Sequence, residues 1–328
     1  MKRIGLVVLI LVWSGIVQAA PHDITWTEGP ENPVLSQTTV GAGRFYYAHV
    51  LYDAFAGKYR AWADASSSND ITYAESVGNS PASWTNYTLC NVTPSARGKA
   101  HVVQLGANSF RMWHTGEDGT PGYEVYTYTG SDGINWSEGI LITGVADSIG
   151  IEGAADSTPY ADGPMEQFAP AAGGPGFYCL SNTREGGAGQ TERQINLYSS
   201  VDGITWTFVR STEIFGWDVS TLVIHPDRPN TWYAYLYTAD TQIASMQTTD
   251  GGMTWEIDEE PVPVIGLAGE FPYNPSRNYN PSAIYRGSGN WVMFRTTSNS
   301  EATPVHTTSY ATGVEANLPS AVESWSQY

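Results

Sequence analysis

Ser131-Asp132-Gly133-Ile134-Asn135-Trp136 follows a short alternating run, Tyr123 to Tyr128. The arrangement returns at Ser200-Val201-Asp202-Gly203-Ile204-Thr205-Trp206, after Ile195 to Tyr198. It returns again at Thr248-Thr249-Asp250-Gly251-Gly252-Met253-Thr254-Trp255, after Ile243 to Gln247. Alternation of apolar and polar residues marks a half-buried strand, and Asp-Gly directly after it marks a tight turn. Each copy therefore predicts a β-hairpin with a tryptophan on its return arm. Asp132, Asp202 and Asp250 are expected as turn residues, because a short carboxylate can bond the backbone just beyond it.

Two weaker copies extend the series. Thr72-Tyr73-Ala74 leads through Gly78-Asn79-Ser80 to Trp84, and Ser309-Tyr310-Ala311 leads through Gly313 and Asn317 to Trp325. The marker tryptophans 84, 136, 206, 255 and 325 recur at intervals of ~50 or ~70 residues, a period that suggests blades or arrays.

A second hairpin precedes each marker. His49-Val50-Leu51-Tyr52-Asp53 turns at Gly57 into Tyr59-Arg60-Ala61-Trp62, and His101-Val102-Val103 turns at Gly106 into Phe110-Arg111-Met112-Trp113. Phe168-Ala169-Pro170 leads to Phe177-Tyr178-Cys179-Leu180, Ser220 to Val223 leads to Trp232-Tyr233-Ala234-Tyr235, and Ser282 to Tyr285 leads to Trp291-Val292-Met293-Phe294. Each unit thus holds four strands, and five units predict an all-β chain folded as a five-bladed β-propeller of four-stranded antiparallel blades. A single blade leaves its faces uncovered, so the marker tryptophans are expected as wedges between neighbours. Asp23-Ile24-Thr25-Trp26 resembles one more outer arm and is expected to pair with the last blade and close the ring.

Composition agrees. The chain has 328 residues, 34 Gly, 20 Tyr, 12 Trp and only 15% charged residues, which excludes a disordered chain and a helical bundle. With 15 Lys+Arg against 33 Asp+Glu the formal charge is −18, which excludes nucleic acid as a partner, since phosphate binding needs clustered cations. Met1-Lys2-Arg3, the apolar run Ile4 to Val17 and the small residues around Ala19-Ala20 read as a secretory signal peptide over residues 1–20. Residues 21–328 are then one propeller domain, secreted or periplasmic, expected as a monomer and without a membrane partner after cleavage. Cys90 and Cys179 are the only cysteines. Export permits one bridge between them, and two separate thiols fit equally well.

The order of inner strand, aromatic-Arg-Met-Trp-like strand and Ser-x-Asp-Gly-x-x-Trp resembles the five-bladed propeller glycosidases, the arabinanase/xylosidase-like and invertase/levanase-like enzymes, over essentially the whole mature chain. Thr248 to Trp255 also fits the Asp box of six-bladed sialidases, against which five units argue. The resemblance implies a carbohydrate ligand at the end of the axis where inner strands begin and second strands end. It also implies three acids: an Asp at the first inner strand, an Asp in the second blade and a Glu at the third. Glu166 matches the third. Tyr47-Ala48-His49 and Lys99-Ala100-His101 hold the other two places, so both aspartates are missing.

Glycoside hydrolysis needs two carboxyl groups flanking the bond, one of them held protonated at working pH. The candidate catalytic set is therefore Glu166, Asp218, His49 and His101. Asp218 lies in an apolar stretch. The two histidines recur at matching inner-strand places, where they could line the channel, contact substrate or bind a metal. Asp64, His114, Arg184, Trp217, Tyr279 and Arg295 are the candidate substrate contacts. No HExxH or EF-hand-like run indicates a metal, and no cofactor is expected beyond a structural divalent cation on the axis. A shifted or rebuilt glycosidase acting on a poly- or oligosaccharide is the first expectation. A carbohydrate-binding propeller without catalysis is the second, and a protein-interaction scaffold the third.

Overall fold

In the computed structural model, the described residues are 24–36, 46–64, 71–93, 100–116, 124–144, 166–171, 176–184, 193–238, 242–259, 262, 277–298 and 306–316. At a few strand ends, Glu166 among them, only the backbone is described. All named elements are strands, arranged in five antiparallel sheets that make a five-bladed β-propeller.

Blade one is Tyr46–Asp53, Lys58–Asp64, Ile71–Ser76 and Trp84–Leu89. Blade two is His101–Gly106, Ser109–Gly116, Glu124–Gly130 and Asn135–Glu138. Asn91–Thr93 extends its outer edge as a parallel strand. Blade three is Glu166–Pro170, Phe177–Arg184, Arg193–Ser200 and Thr207–Phe215, and blade four is Asp218–Ile224, Trp232–Thr238, Gln242–Thr248 and Glu256–Asp258. Blade five takes Arg277–Gly287, Asn290–Ser298 and His306–Glu315 from its own part of the chain. Its outer place is filled by Ile24–Glu28, paired from Ile24 opposite Glu315 to Glu28 opposite Ala311. The amino-terminal arm closes the ring, as Trp26 suggested.

That closure corrects one reading of the fifth unit. Gly313 is not a turn residue. It lies inside the strand His306–Glu315, directly opposite Trp26. A Cβ on Gly313 would come within 2.9 Å of the Trp26 ring. In the same way Gly130 stands opposite Trp136, with a Cβ position 2.9 Å from that ring. The aromatic covers a glycine on the neighbouring strand, and the glycine is there because any side chain would displace the ring. Trp325 falls outside the described residues, and Trp26 performs the fifth marker's work.

Trp136, Trp206, Trp84 and Trp26 are wedges between adjacent blades, whereas Trp255 packs on Trp232 of its own blade at 6.1 Å. Trp136 meets Trp62 of blade one edge-on at 6.5 Å between centroids, Trp206 meets Trp113 of blade two at 6.3 Å, and Trp84 meets Phe294 of blade five at 5.6 Å. Trp26 meets Tyr235 of blade four at 6.1 Å. Edge-on rings between sheets add ~0.5–1.5 kcal/mol each to the burial of two large apolar side chains.

The Asp turns supply the other half of each junction. Asp132 Oδ1 accepts from the backbone N–H groups of Ile134 and Asn135, both at 2.8 Å, and Asp202 Oδ1 does the same for Ile204 and Thr205. Asp250 Oδ1 accepts from Met253 and Thr254 at 2.8 and 2.9 Å. The sequence reading of these three as turn residues holds. Cys90 and Cys179 are free thiols in two different clusters of the core.

Candidate active site at the start of the inner strands

Inner strands begin and second strands end at the same end of the propeller, because the two are antiparallel neighbours: Tyr46 faces Asp64, Glu166 faces Ser181 and Asp218 faces Tyr237. The pairing register also fixes which residues are equivalent. His49 stands opposite Trp62, His101 opposite Trp113, Gln167 opposite Leu180, Thr221 opposite Tyr235, and Ser282 opposite Phe294. Spacing in the sequence puts Phe168 and Ser220 in this series, and each is one residue off.

The blade-four offset has a physical cause. Its inner strand carries an irregularity between Val219 and Thr221, and similar irregularities lie between Tyr46 and His49 and between Tyr279 and Ser282. An extra residue in one strand bends it and re-aims the side chains on either side, and such bulges gather beside functional sites. Tyr47 and Asn280 occupy the extra places in blades one and five, each with φ of 52°. Asparagine tolerates that left-handed backbone, whereas an aromatic residue there is an outlier sustained by its surroundings. Tyr47 is buried in the same core cluster as Tyr235, Tyr237 and Ala283.

Three of the equivalent inner-strand residues tie their blade to the next. His49 Nε2 donates to the carbonyl of Val102 at 2.9 Å. Ser282 Oγ accepts from the N–H of Val50 and donates to its carbonyl, both at 3.0 Å. Thr221 Oγ1 donates to the carbonyl of Pro281 and accepts from Ala283 N–H at 3.4 Å. Three side chains of different chemistry thus perform one task, which explains a histidine at the blade-one place without any reaction.

The rings of His49 and His101 stand 4.1 Å apart, tilted by 43°. Burial lowers the His49 pKa from 6.5 to about 4, with the Val102 bond pulling weakly the other way. His49 is therefore neutral near pH 7, with its proton on Nε2 to meet the carbonyl.

Asp218 opens the inner strand of blade four and is buried. Asn182, near the end of the second strand of blade three, holds that opening. Its Nδ2 donates to the carbonyl of Trp217 at 2.5 Å and stands 3.5 Å from Asp218 Oδ1, while its Oδ1 accepts from Val219 N–H at 2.9 Å. From the other side, Ser220 Oγ donates to Asn280 Oδ1 at 3.1 Å, and Asn280 Nδ2 donates to the carbonyl of Ala48 at 3.3 Å. In the sequence Asn182 lies in the polar stretch that follows Phe177-Tyr178-Cys179-Leu180, and nothing in that stretch distinguishes it as a partner of Asp218. Asn280 precedes a proline, which restricts its backbone and hints at an irregular strand.

The remaining candidates are dispersed. Asp64 ends the second strand of blade one, half-buried, and His114 is buried with its ring stacked on Tyr128 at 4.6 Å. Trp217 packs into the core shared by blades three and four. Arg295 is fully buried, its Nη2 donating to both carboxylate oxygens of Glu28 at 2.8 and 2.6 Å. The backbone of Glu166 opens the inner strand of blade three, and its side chain lies outside what is described, as do the side chains of Arg184 and Tyr279. Among the described residues no group of three or more His, Cys, Asp or Glu is placed to hold a metal ion.

No family model matches the sequence, and no curated protein matches it. Solved structures do match by fold. A GH43 protein from Bacillus licheniformis is similar at TM-score 0.58 and 13% identity, over 87% of this chain and 54% of that one. The GH32 β-fructofuranosidase BmSUC1 of Bombyx mori is similar at 0.53 and 13%, over 80% and 59%. An N-acetylgalactosamine deacetylase from F. plautii, in complex with blood group B trisaccharide, is similar at 0.57 and 15%, over 88% of this chain and 95% of that one. The chain therefore spans little more than half the length of the GH43 and GH32 proteins. It has the five-bladed propeller fold of those glycoside hydrolases.

Proposed function

We propose that the chain is an exported carbohydrate-active hydrolase with its site at the inner-strand starts of blades three and four. One observation carries this reading: Glu166 and Asp218 open the inner strands of adjacent blades, in a fold whose glycoside hydrolase members act on sugars. In the reaction one carboxyl group protonates the departing oxygen and the other activates water or attacks the sugar. Glu166 takes the acid role and Asp218 that of base or nucleophile. His49 and His101 serve the wall of the site and the junction of blades one and two. Glu166→Gln and Asp218→Asn, assayed on a panel of neutral oligosaccharides, should each lower turnover by about 10²–10⁴-fold while leaving the thermal midpoint in place. Full activity in both variants would remove the assignment.

A second reading has its own support. The deacetylase matches over 95% of its length, where the GH43 and GH32 proteins match over little more than half. In this reading the activated water attacks an acyl carbon, and N-acetylated oligosaccharides release acetate without new reducing ends. Measuring both products on the same panel separates the two reactions. Glycan binding without either product would indicate a binding propeller.

A further inference from the structure

We propose that Asn182 is a positioning residue for Asp218, fixing from the neighbouring blade where that carboxylate points. The inference rests on the reading of Asp218 as the working carboxylate. A carboxamide offers one acceptor oxygen and two donor hydrogens. In Asn182 these address three consecutive residues of another blade: the carbonyl of Trp217, the side chain of Asp218 and the N–H of Val219. The orientation of the amide is settled chemically. Val219 N–H can only donate and so must face Oδ1, which turns Nδ2 toward the Trp217 carbonyl and the Asp218 carboxylate.

The site is buried on both sides. Asn182 and Asp218 are each 8% exposed, so a donor at this distance acts with little screening by water. Asn280 completes the arrangement by accepting from Ser220, two residues beyond Asp218. The segment 217–220 is thereby gripped by blade three at one end and by blade five at the other. A fold that needed only to join blades three and four could do so through Val219 and Trp217. The Nδ2 group pointed at Asp218 Oδ1 adds a contact with the carboxylate itself.

Two substitutions separate positioning from simple support. Asn182→Asp keeps an acceptor for Val219 N–H but sets a second carboxyl group beside Asp218, and two such groups hold a shared proton more tightly. Asn182→Ser removes the reach of the amide altogether. The readout is the carboxyl-carbon NMR titration of Asp218 in the full mature chain, assigned through Asp218→Asn. The side-chain amide signal of Asn182 is followed in the unsubstituted protein.

We expect the Asp218 titration to move upward by about one pH unit or more in Asn182→Asp. The Asn182 amide should titrate with the Asp218 midpoint in the unsubstituted protein. An Asn182 amide that ignores the Asp218 titration overturns the proposal, and this measurement needs no variant to fold. An Asp218 curve unchanged in both variants overturns it as well. Parallel assays on the glycan panel keep the two ideas distinct. Coupled titration without turnover of any glycan removes the hydrolase reading and leaves the clamp. Turnover that is abolished by Asp218→Asn but indifferent to Asn182 removes the clamp and leaves the hydrolase.

Discussion

Trp62 of blade one donates its indole Nε1–H to the carbonyl of Gly133 in the turn of blade two, at 2.8 Å. Trp113 of blade two repeats the bond to Gly203 of blade three at 2.9 Å. The Asp-Gly turn is thus an acceptor for the preceding blade as well as a tight bend. Gly203 has φ of 72°, and a Cβ there would lie 3.0 Å from the Trp113 ring. Gly203→Ala should cost about 1–3 kcal/mol, from backbone strain together with displacement of the Arg111 guanidinium, the group nearest the added methyl, and of the indole. Gly78 makes the control, since it also has positive φ but nothing within 4 Å of the added methyl. Denaturant titration should show a larger loss for Gly203→Ala than for Gly78→Ala, and equal losses would reduce the effect to backbone strain alone.

The same junction shows what a sequence displays and what it hides. Asp, Gly and Trp are close together in each turn, so the hairpins, their number and the amino-terminal closure are legible. Gly313 misleads because a glycine that makes room for a ring on the next strand reads like a turn glycine; only the pairing with Trp26 distinguishes them. The site is far less legible. Alternation assumes a regular strand, whereas the inner strands of blades one, four and five carry an extra residue at Tyr47-Ala48, Ser220 and Asn280-Pro281, so residues on the two sides of it no longer follow one alternation. Asn182 acts on residues about 35 positions away in another blade, a relationship that no local pattern records.

An ion pair with one buried partner helps to hold the closing arm. Arg295 is fully buried and Glu28, on the amino-terminal strand, takes both hydrogen bonds from its Nη2. Glu28→Ala leaves a buried guanidinium without its carboxylate and should cost about 3–5 kcal/mol, whereas the double replacement Glu28→Leu with Arg295→Met should cost less than the sum of the single changes. A double-mutant cycle by denaturant unfolding measures the difference. Additive losses would show that the pair contributes nothing of its own to closure.

Acid should weaken the junction of blades one and two. The pKa of His49 falls from 6.5 in the unfolded chain to about 4 in the fold, so between these values the unfolded state binds more protons. Stability attributable to this group is complete above pH 6.5 and is lost as the pH falls toward 4. His225, also lowered to about 4 by burial and by Arg228, adds a slope of the same sign. His49→Gln keeps an N–H for the Val102 carbonyl but removes the titration. Its thermal midpoint should therefore fall less than that of the unsubstituted protein between pH 6.5 and 4, and parallel curves would exclude His49 as a source of the slope.

The two thiols should be inert in the native protein. Cys179 is fully buried, and burial pushes Cys90 up to about 12, so almost none of it is thiolate at neutral pH. A disulfide-exchange reagent should modify neither cysteine in the folded chain and both after denaturation in the absence of reductant. Two unreactive sulfurs after denaturation would instead reveal a bridge.

Charge selects among carbohydrate ligands. The chain carries 15 Lys+Arg, and five of the arginines are engaged between blades or with the closing arm. Arg60 binds Asp53 and the carbonyl of Asp132, Arg111 the carbonyl of Asp202, Arg228 the carboxylate of Glu315, Arg286 the amide oxygen of Asn79, and Arg295 Glu28. Arg60, Arg228 and Arg295 are paired with carboxylates and Arg111 and Arg286 are held by neutral oxygens, and Arg295, a candidate for substrate contact by sequence, is among the paired ones. Around them stands a net charge of −18, which repels an approaching polyanion. Neutral oligosaccharides should therefore bind with little dependence on ionic strength. Their sulfated counterparts should bind more weakly at low salt and recover part of the difference as salt screens the repulsion. Calorimetry on matched neutral and sulfated oligosaccharides, at low and high salt, tests this. Tighter binding of the sulfated member at low salt would mean that other cations converge on the axis and dominate the field there.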